Sequence, residues 1–173
     1  MSLHKMYFWK PVSGAQGGVG HASLDIDFGA GPGKAEYVSW WPGGTGSKGS
    51  PGASAGTLWE LFPAGAMSYD TDTGPNGEGR QPDDAVELDN ILDADLMRES
   101  YARIKTDMTY NILNRSCATM VAKVMLAGGG ILSVRYAMAP IAEYAWTPAS
   151  AHRLAKMIKA DAAVIRARLK YGI

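Results

Sequence analysis

Hydrophobic and polar positions alternate most cleanly over His21-Ala-Ser-Leu-Asp-Ile-Asp-Phe28. Ala22, Leu24, Ile26 and Phe28 fall on one side, and His21, Ser23, Asp25 and Asp27 on the other. A period of two predicts a strand with one face on a core. Met6-Tyr-Phe-Trp-Lys10, aromatic and stopped by Pro11, predicts a shorter strand before it. Glu36-Tyr-Val-Ser-Trp-Trp41, stopped by Pro42, predicts a third, in a hairpin with His21–Phe28 across the turn at Gly29–Lys34. Ala85–Asp89 reads as a further strand, Thr57–Phe62 as a short apolar patch, and Ser68–Asp84 as a polar, turn-rich stretch.

The second half carries the helical periods. Asp93–Thr106 has acidic residues in its first turn and Lys105 in its last, as a helix dipole favours. Ser116 is a natural N-cap, Gly128-Gly-Gly130 a stop, and the apolar residues of Ala118–Leu126 surround the segment between them. A helix apolar on nearly every side is a central, buried one. Thr147 and Pro148 start a last helix running to about Lys170, with Leu154, Ile158, Ala162, Ile165 and Leu169 as its packed stripe. The expected fold class is α+β: an antiparallel sheet packed on a central helix that carries Cys117 at its N-terminus.

Composition sharpens this picture. The chain has 173 residues, 46% of them hydrophobic, which fits a single domain over 1–173. Of its 21 glycines, many fall in the first half, and residues 43–56 read as a flexible Gly/Ser/Pro-rich insertion. Seventeen Lys and Arg balance 17 Asp and Glu, which argues against nucleic acid as a partner. No apolar run is long enough to cross a bilayer, and Met1–Lys10 lacks the features of a Sec signal. The expected location is cytoplasmic, or wherever a specialised secretion system delivers the chain. One cysteine excludes a disulfide framework and a multi-cysteine zinc site. No cofactor and no metal are expected. Asp70–Gly77 has the look of a calcium loop, but it lacks a fifth-position ligand, carries Pro75 at the sixth and ends on Gln81, so it reads as a solvated turn.

The candidate chemistry begins at Cys117. At the first turn of a helix, unpaired N–H groups and the dipole favour a thiolate, and the cysteine's own N–H can serve an oxyanion. A lone cysteine is also a common small core residue. His21 opens its strand after a glycine-rich loop, where it can reach a helix N-terminus and act as base and then acid. His4 falls in a segment expected to fray, and His152 in a first turn expected to be solvated. Tyr37, Trp40 and Trp41 read either as a cleft wall or as packing.

Gly20-His21-Ala-Ser-Leu-Asp-Ile, Tyr37-Val-Ser-Trp-Trp-Pro42 and Tyr110-Asn-Ile-Leu-Asn-Arg-Ser-Cys117-Ala-Thr-Met-Val-Ala122 resemble the circularly permuted branch of the papain-like NlpC/P60 superfamily. That branch includes YiiX-like and lecithin:retinol acyltransferase-like proteins, in which a strand histidine precedes a cysteine at a helix start. The resemblance implies a permuted papain-like fold and a thiol hydrolase with a Cys117–His21 dyad. It places Ser39 at the third catalytic position, where the family has His, Asn, Asp or Glu. Glu36 is an alternative orienting group, and so is Asp25. Ser116 stands where the family often has Asn.

The implied reaction is cysteine-dependent hydrolysis of an amide bond by a peptidase, amidase or deamidase. The substrate would be a peptide, a cell-wall peptide or a protein side chain. Lipid esters are the alternative, ranked second because that branch usually carries a hydrophobic anchor. The same superfamily includes bacterial secreted effectors and toxins, which implies an immunity or carrier protein as a further partner. A non-catalytic binding module on the same fold is the competing class.

Overall fold

The computed structural model describes residues 3–12, 20–27, 35–42, 61–138 and 145–172. The 43–56 insertion, Phe28, and the 57–60 part of the apolar patch lie outside the described residues.

The larger of two antiparallel sheets has four strands. Its strands are β1 (His4–Trp9), β2 (His21–Ile26), β3 (Glu36–Val38) and β6 (Asp84–Glu87), in spatial order β3-β2-β1-β6. Register follows the alternation: Met6 pairs with Leu24 and Val86, and Leu24 with Val38, so one apolar row crosses the sheet. All four side chains are buried. A second antiparallel sheet contains β4 (Trp40–Pro42), β5 (Phe62–Ala66) and β7 (Thr109–Tyr110), in order β4-β5-β7. The expected strand Glu36–Trp41 is therefore divided at Ser39, where the chain leaves one sheet for the other.

The helices are α1 (Tyr69–Thr73), α2 (Ala94–Ile104), α3 (Cys117–Ala127), α4 (Val134–Met138), α5 (Pro148–Ala160) and α6 (Ala162–Tyr171). α3 is the central one, in contact with β2, α2 and α5, and nearly all of its residues are buried. The fold is α+β with antiparallel sheets, as the alternation and the helical periods require.

Four expectations need correction. The last helix is two, because Asp161 breaks it: its carboxylate turns away to accept hydrogen bonds from Ser133 Oγ at 2.7 Å and Arg135 N at 2.8 Å. That ties the break to α4. His4 is not frayed but fully buried, with Nδ1 accepting from Asp27 N at 3.1 Å and Nε2 against Leu92 O at 3.3 Å. His152 is stacked on Phe8 at 4.4 Å between ring centroids and bonded to Asp84 at 2.9 Å, so it is half-buried. The polar stretch Ser68–Asp84 contains α1, capped by the Ser68 hydroxyl, and Asp72 within it is completely buried.

Candidate active site

Gly20 has φ +80°, and a Cβ there would lie 2.6 Å from Trp9 O. Only glycine fits so close to β1 in that conformation, and it delivers the chain into β2 with His21 at the first position. The His21 side chain is 2% exposed. Trp41 stacks on its ring at 4.4 Å and 26°, and Trp9 lies beside it at 5.3 Å and 49°. Aromatic faces attract an imidazolium. The polar side of β2 is covered as well: Ser23 Oγ lies 2.6 Å from the Tyr37 hydroxyl and is itself buried.

His21 Nε2 is 3.1 Å from Asp72 Oδ2 and 3.2 Å from Ser39 Oγ. An ionised carboxylate can only accept, so Nε2 carries the proton. Asp72 reaches this point from α1, which Gly77 supports from below. A Cβ on Gly77 would lie 2.3 Å from Thr71 O and 2.5 Å from Asp72 O. Both carboxylate oxygens are fully engaged. Oδ1 accepts from Ser39 Oγ at 2.9 Å and from Trp41 Nε1 at 2.7 Å. Oδ2 accepts from the Tyr37 hydroxyl at 2.7 Å as well as from His21. Burial alone would raise the Asp72 carboxyl's proton affinity, but the His21 bond and charge, with the Tyr37 and Trp41 bonds, hold it below the ordinary carboxylate range.

Cys117 enters from the other side, as the first residue of α3. Ser116 Oγ caps the helix by accepting from Thr119 N at 3.3 Å. The approach is held by Asn111, whose Oδ1 accepts from Leu113 N at 2.9 Å and Asn114 N at 3.3 Å. Among the described residues, the backbone N–H groups of Cys117 and Ala118 have no acceptor, as first-turn groups do not. Burial would lower the proton affinity of His21. The Cys117 sulfur and the Asp72 carboxylate override burial through charge and hydrogen bonding, and push the imidazole up to about 10. With Nε2 committed to Asp72 and Ser39, Nδ1 is the nitrogen left for the sulfur. Burial, and secondarily the charge of the nearby Cys117 sulfur, raises the Tyr110 phenol above the ordinary range.

The structure brings Cys117, His21 and Ser39 together. Ser39 is completely buried at the crossing between the two sheets, and its hydroxyl touches both His21 and Asp72. Glu36 is directed elsewhere, to an ion pair with Lys105. Asp25 accepts from the Tyr7 hydroxyl at 2.9 Å. Tyr37 and Trp41 act on Asp72, whereas Trp40 is core, its indole N–H donating to Thr109 O at 3.0 Å. Asp72 is the residue that sequence reasoning missed. Among the described residues no cluster of His, Cys, Asp and Glu could hold a metal ion. A groove of about 790 Å³ between α2 and α3, lined by Leu96, Arg103, Arg115 and Lys123 among others, contains none of these side chains. No protein-family model, curated protein or solved structure matches the chain.

Proposed function

We propose that the chain is a cysteine-dependent hydrolase of amide bonds, on a permuted papain-like plan in which the histidine strand precedes the cysteine helix. Cys117 is the nucleophile, His21 the proton shuttle and Asp72 the orienting group, with Ser39 as a supporting contact. One observation carries this reading: a buried carboxylate fixes His21 Nε2–H and leaves the other ring nitrogen to Cys117.

The steps follow from that arrangement. His21, held as the imidazolium at neutral pH, keeps the thiol's proton on Nδ1 while Sγ bonds to the carbonyl carbon, and the carbonyl π electrons move to oxygen. The N–H groups of Cys117 and Ala118 receive the oxyanion. Collapse breaks the C–N bond, and the departing amine takes the proton from the imidazolium. A water molecule, deprotonated by His21, then attacks the thioester and releases the acid and the free thiol. An amine leaves poorly unless protonated, and an imidazolium held beside the sulfur supplies that proton, as amide hydrolysis requires.

The test is the rate of Cys117 alkylation by iodoacetamide from about pH 4 to 10, in the wild type and in His21→Ala. Near neutral pH the wild type is expected to react at least about tenfold faster than the variant. Equal profiles would make Cys117 a core residue and the chain a binding module.

A further inference from the structure

We propose that Tyr37 is a positioning residue for the dyad, which shares the charge of Asp72 Oδ2 with His21 and so keeps the imidazolium acidic enough to return its proton. The inference rests on the hydrolase reading of Cys117 and His21.

Tyr37 and His21 bond to the same oxygen, and the phenol is the closer, at 2.7 Å against 3.1 Å. A short hydrogen bond to an ionised acceptor takes up part of its charge. Without that donor, Oδ2 would bind the imidazolium more strongly, and a shuttle that holds its proton too tightly fails as the acid. The direction of the phenol is fixed. Its single proton goes to Asp72, which cannot donate, so the Ser23 hydroxyl 2.6 Å away must be donating to the Tyr37 oxygen. The chain Ser23 to Tyr37 to Asp72 polarises the phenol toward the carboxylate. Burial and the neighbouring Asp72 charge hold Tyr37 protonated far above the ordinary tyrosine range, so it remains a donor throughout the range in which His21 titrates.

Other groups face this pair from every side. Cys117 comes from α3, Tyr101 from α2, and Tyr110 from β7 beside the sulfur. Tyr7 from β1 and Tyr69 from α1 pack on the Tyr37 ring, with Asp25 of β2 behind it. Glu36 and Lys105 neutralise each other. Removing the Tyr37 oxygen changes the charge of none of them.

The test follows the His21 ring nitrogens by NMR across a pH titration, in the wild type, Tyr37→Phe and Ser23→Ala. The expected result is a His21 midpoint raised by roughly 0.5 to 1 unit in Tyr37→Phe, with Nε2 still protonated. Ser23→Ala, which leaves the phenol in place but unpolarised, moves the midpoint in the same direction by a smaller step. A purely structural role for Tyr37 would not move it upward. A midpoint that stays or falls in both variants overturns the inference. The hydrolase reading fails on a different result, an alkylation rate of Cys117 that ignores His21.

Discussion

Replacing Asp72 by Asn tests the site most directly, because it keeps the shape and inverts half the hydrogen bonds. The carboxylate accepts from Ser39, Trp41, Tyr37 and His21. An amide offers one accepting oxygen and one donating NH₂. The Trp41 indole can only donate, so the amide oxygen must face Trp41 and Ser39, and the NH₂ must face Tyr37 and His21. Tyr37 can rotate its hydroxyl and accept. His21 can accept only by surrendering the Nε2 proton, which moves the proton to Nδ1 and points an N–H at the sulfur. The network thus stays nearly satisfied, while His21 loses the carboxylate that lets it hold a proton on both nitrogens beside the sulfur. The stability cost is that of losing the charge-assisted part of these bonds, about 1–3 kcal/mol. That corresponds to a fall in Tm of roughly 2–12 °C for a chain of this size. Alkylation of Cys117 at pH 7 is expected to fall at least about tenfold, as for an imidazole in the wrong tautomer. Asp72→Ala is a different perturbation: four donors lose their acceptor, two of them, on His21 and Ser39, fully buried at about 1–3 kcal/mol each, a large share of the roughly 5–15 kcal/mol by which a domain is stable. Thermal melts and iodoacetamide kinetics on both variants separate the two effects. A folded Asp72→Asn protein that alkylates within about twofold of wild type would refute the orienting role of Asp72.

Two further outcomes are expected. Gly77→Ala places a Cβ 2.5 Å from Asp72 O, so α1 must shift; a loss of about 1–3 kcal/mol in urea unfolding, with slower Cys117 alkylation, is predicted, and an unchanged alkylation rate would show that Asp72 tolerates displacement. His4, by contrast, gives a pH-dependence. Burial holds its proton affinity below the ordinary 6.5 despite Leu92, Asp27 and Asp89, and protonating Nδ1 would break the bond from Asp27 N. A depressed group contributes stability that is present above its unfolded pKa and lost as pH falls below about 6.5, by at most about 1.4 kcal/mol per pH unit. His21 has the opposite sign, since a raised group contributes fully below 6.5 and loses its share as pH rises towards about 10. Urea unfolding at pH 7 and 5 is expected to show a shallower acid loss in His4→Gln than in the wild type, and parallel slopes would contradict it.

The two candidate side chains were legible because each sits on a strong local signal. His21 opens a clean period-two segment, and Cys117 follows an N-cap serine before a run of apolar residues. The sheet register and the burial of α3 follow from the same patterns. Asp72 sits on no such signal. It lies 51 residues from His21, in a five-residue helix too short to show a period, among glycines and aspartates that read as a solvated turn. Its burial arises from tertiary contact alone, with Tyr37, Ser39 and Trp41 closing over it. The covering of the polar face of β2 was illegible for the same reason. Alternation identifies which residues share a side, but not whether that side meets water or a second layer of polar groups.

That distinction explains why a residue nearest in the chain was a poor guide to the third member of the site. Glu36 and Asp25 are carboxylates on the strands beside His21, yet one is neutralised by Lys105 and the other accepts from Tyr7. A carboxylate can hold an imidazole in a buried site only if its remaining lone pairs are also satisfied, since each unfilled one costs free energy there. The orienting group is therefore found where donors converge. Ser39 lies at the crossing between the sheets, and Tyr37 and Trp41, two residues to either side of it, supply donors to the same carboxylate as Ser39 itself. The strand crossing at 37–41 thus gathers donors for a carboxylate, and Ser39, expected as the third catalytic residue, is one of the three groups that hold Asp72 in place. In this reading the sequence Tyr37-Val-Ser39-Trp-Trp41 specifies a buried acid supplied from elsewhere in the chain, and Asp72 is the only acid on which those three side chains converge among the described residues.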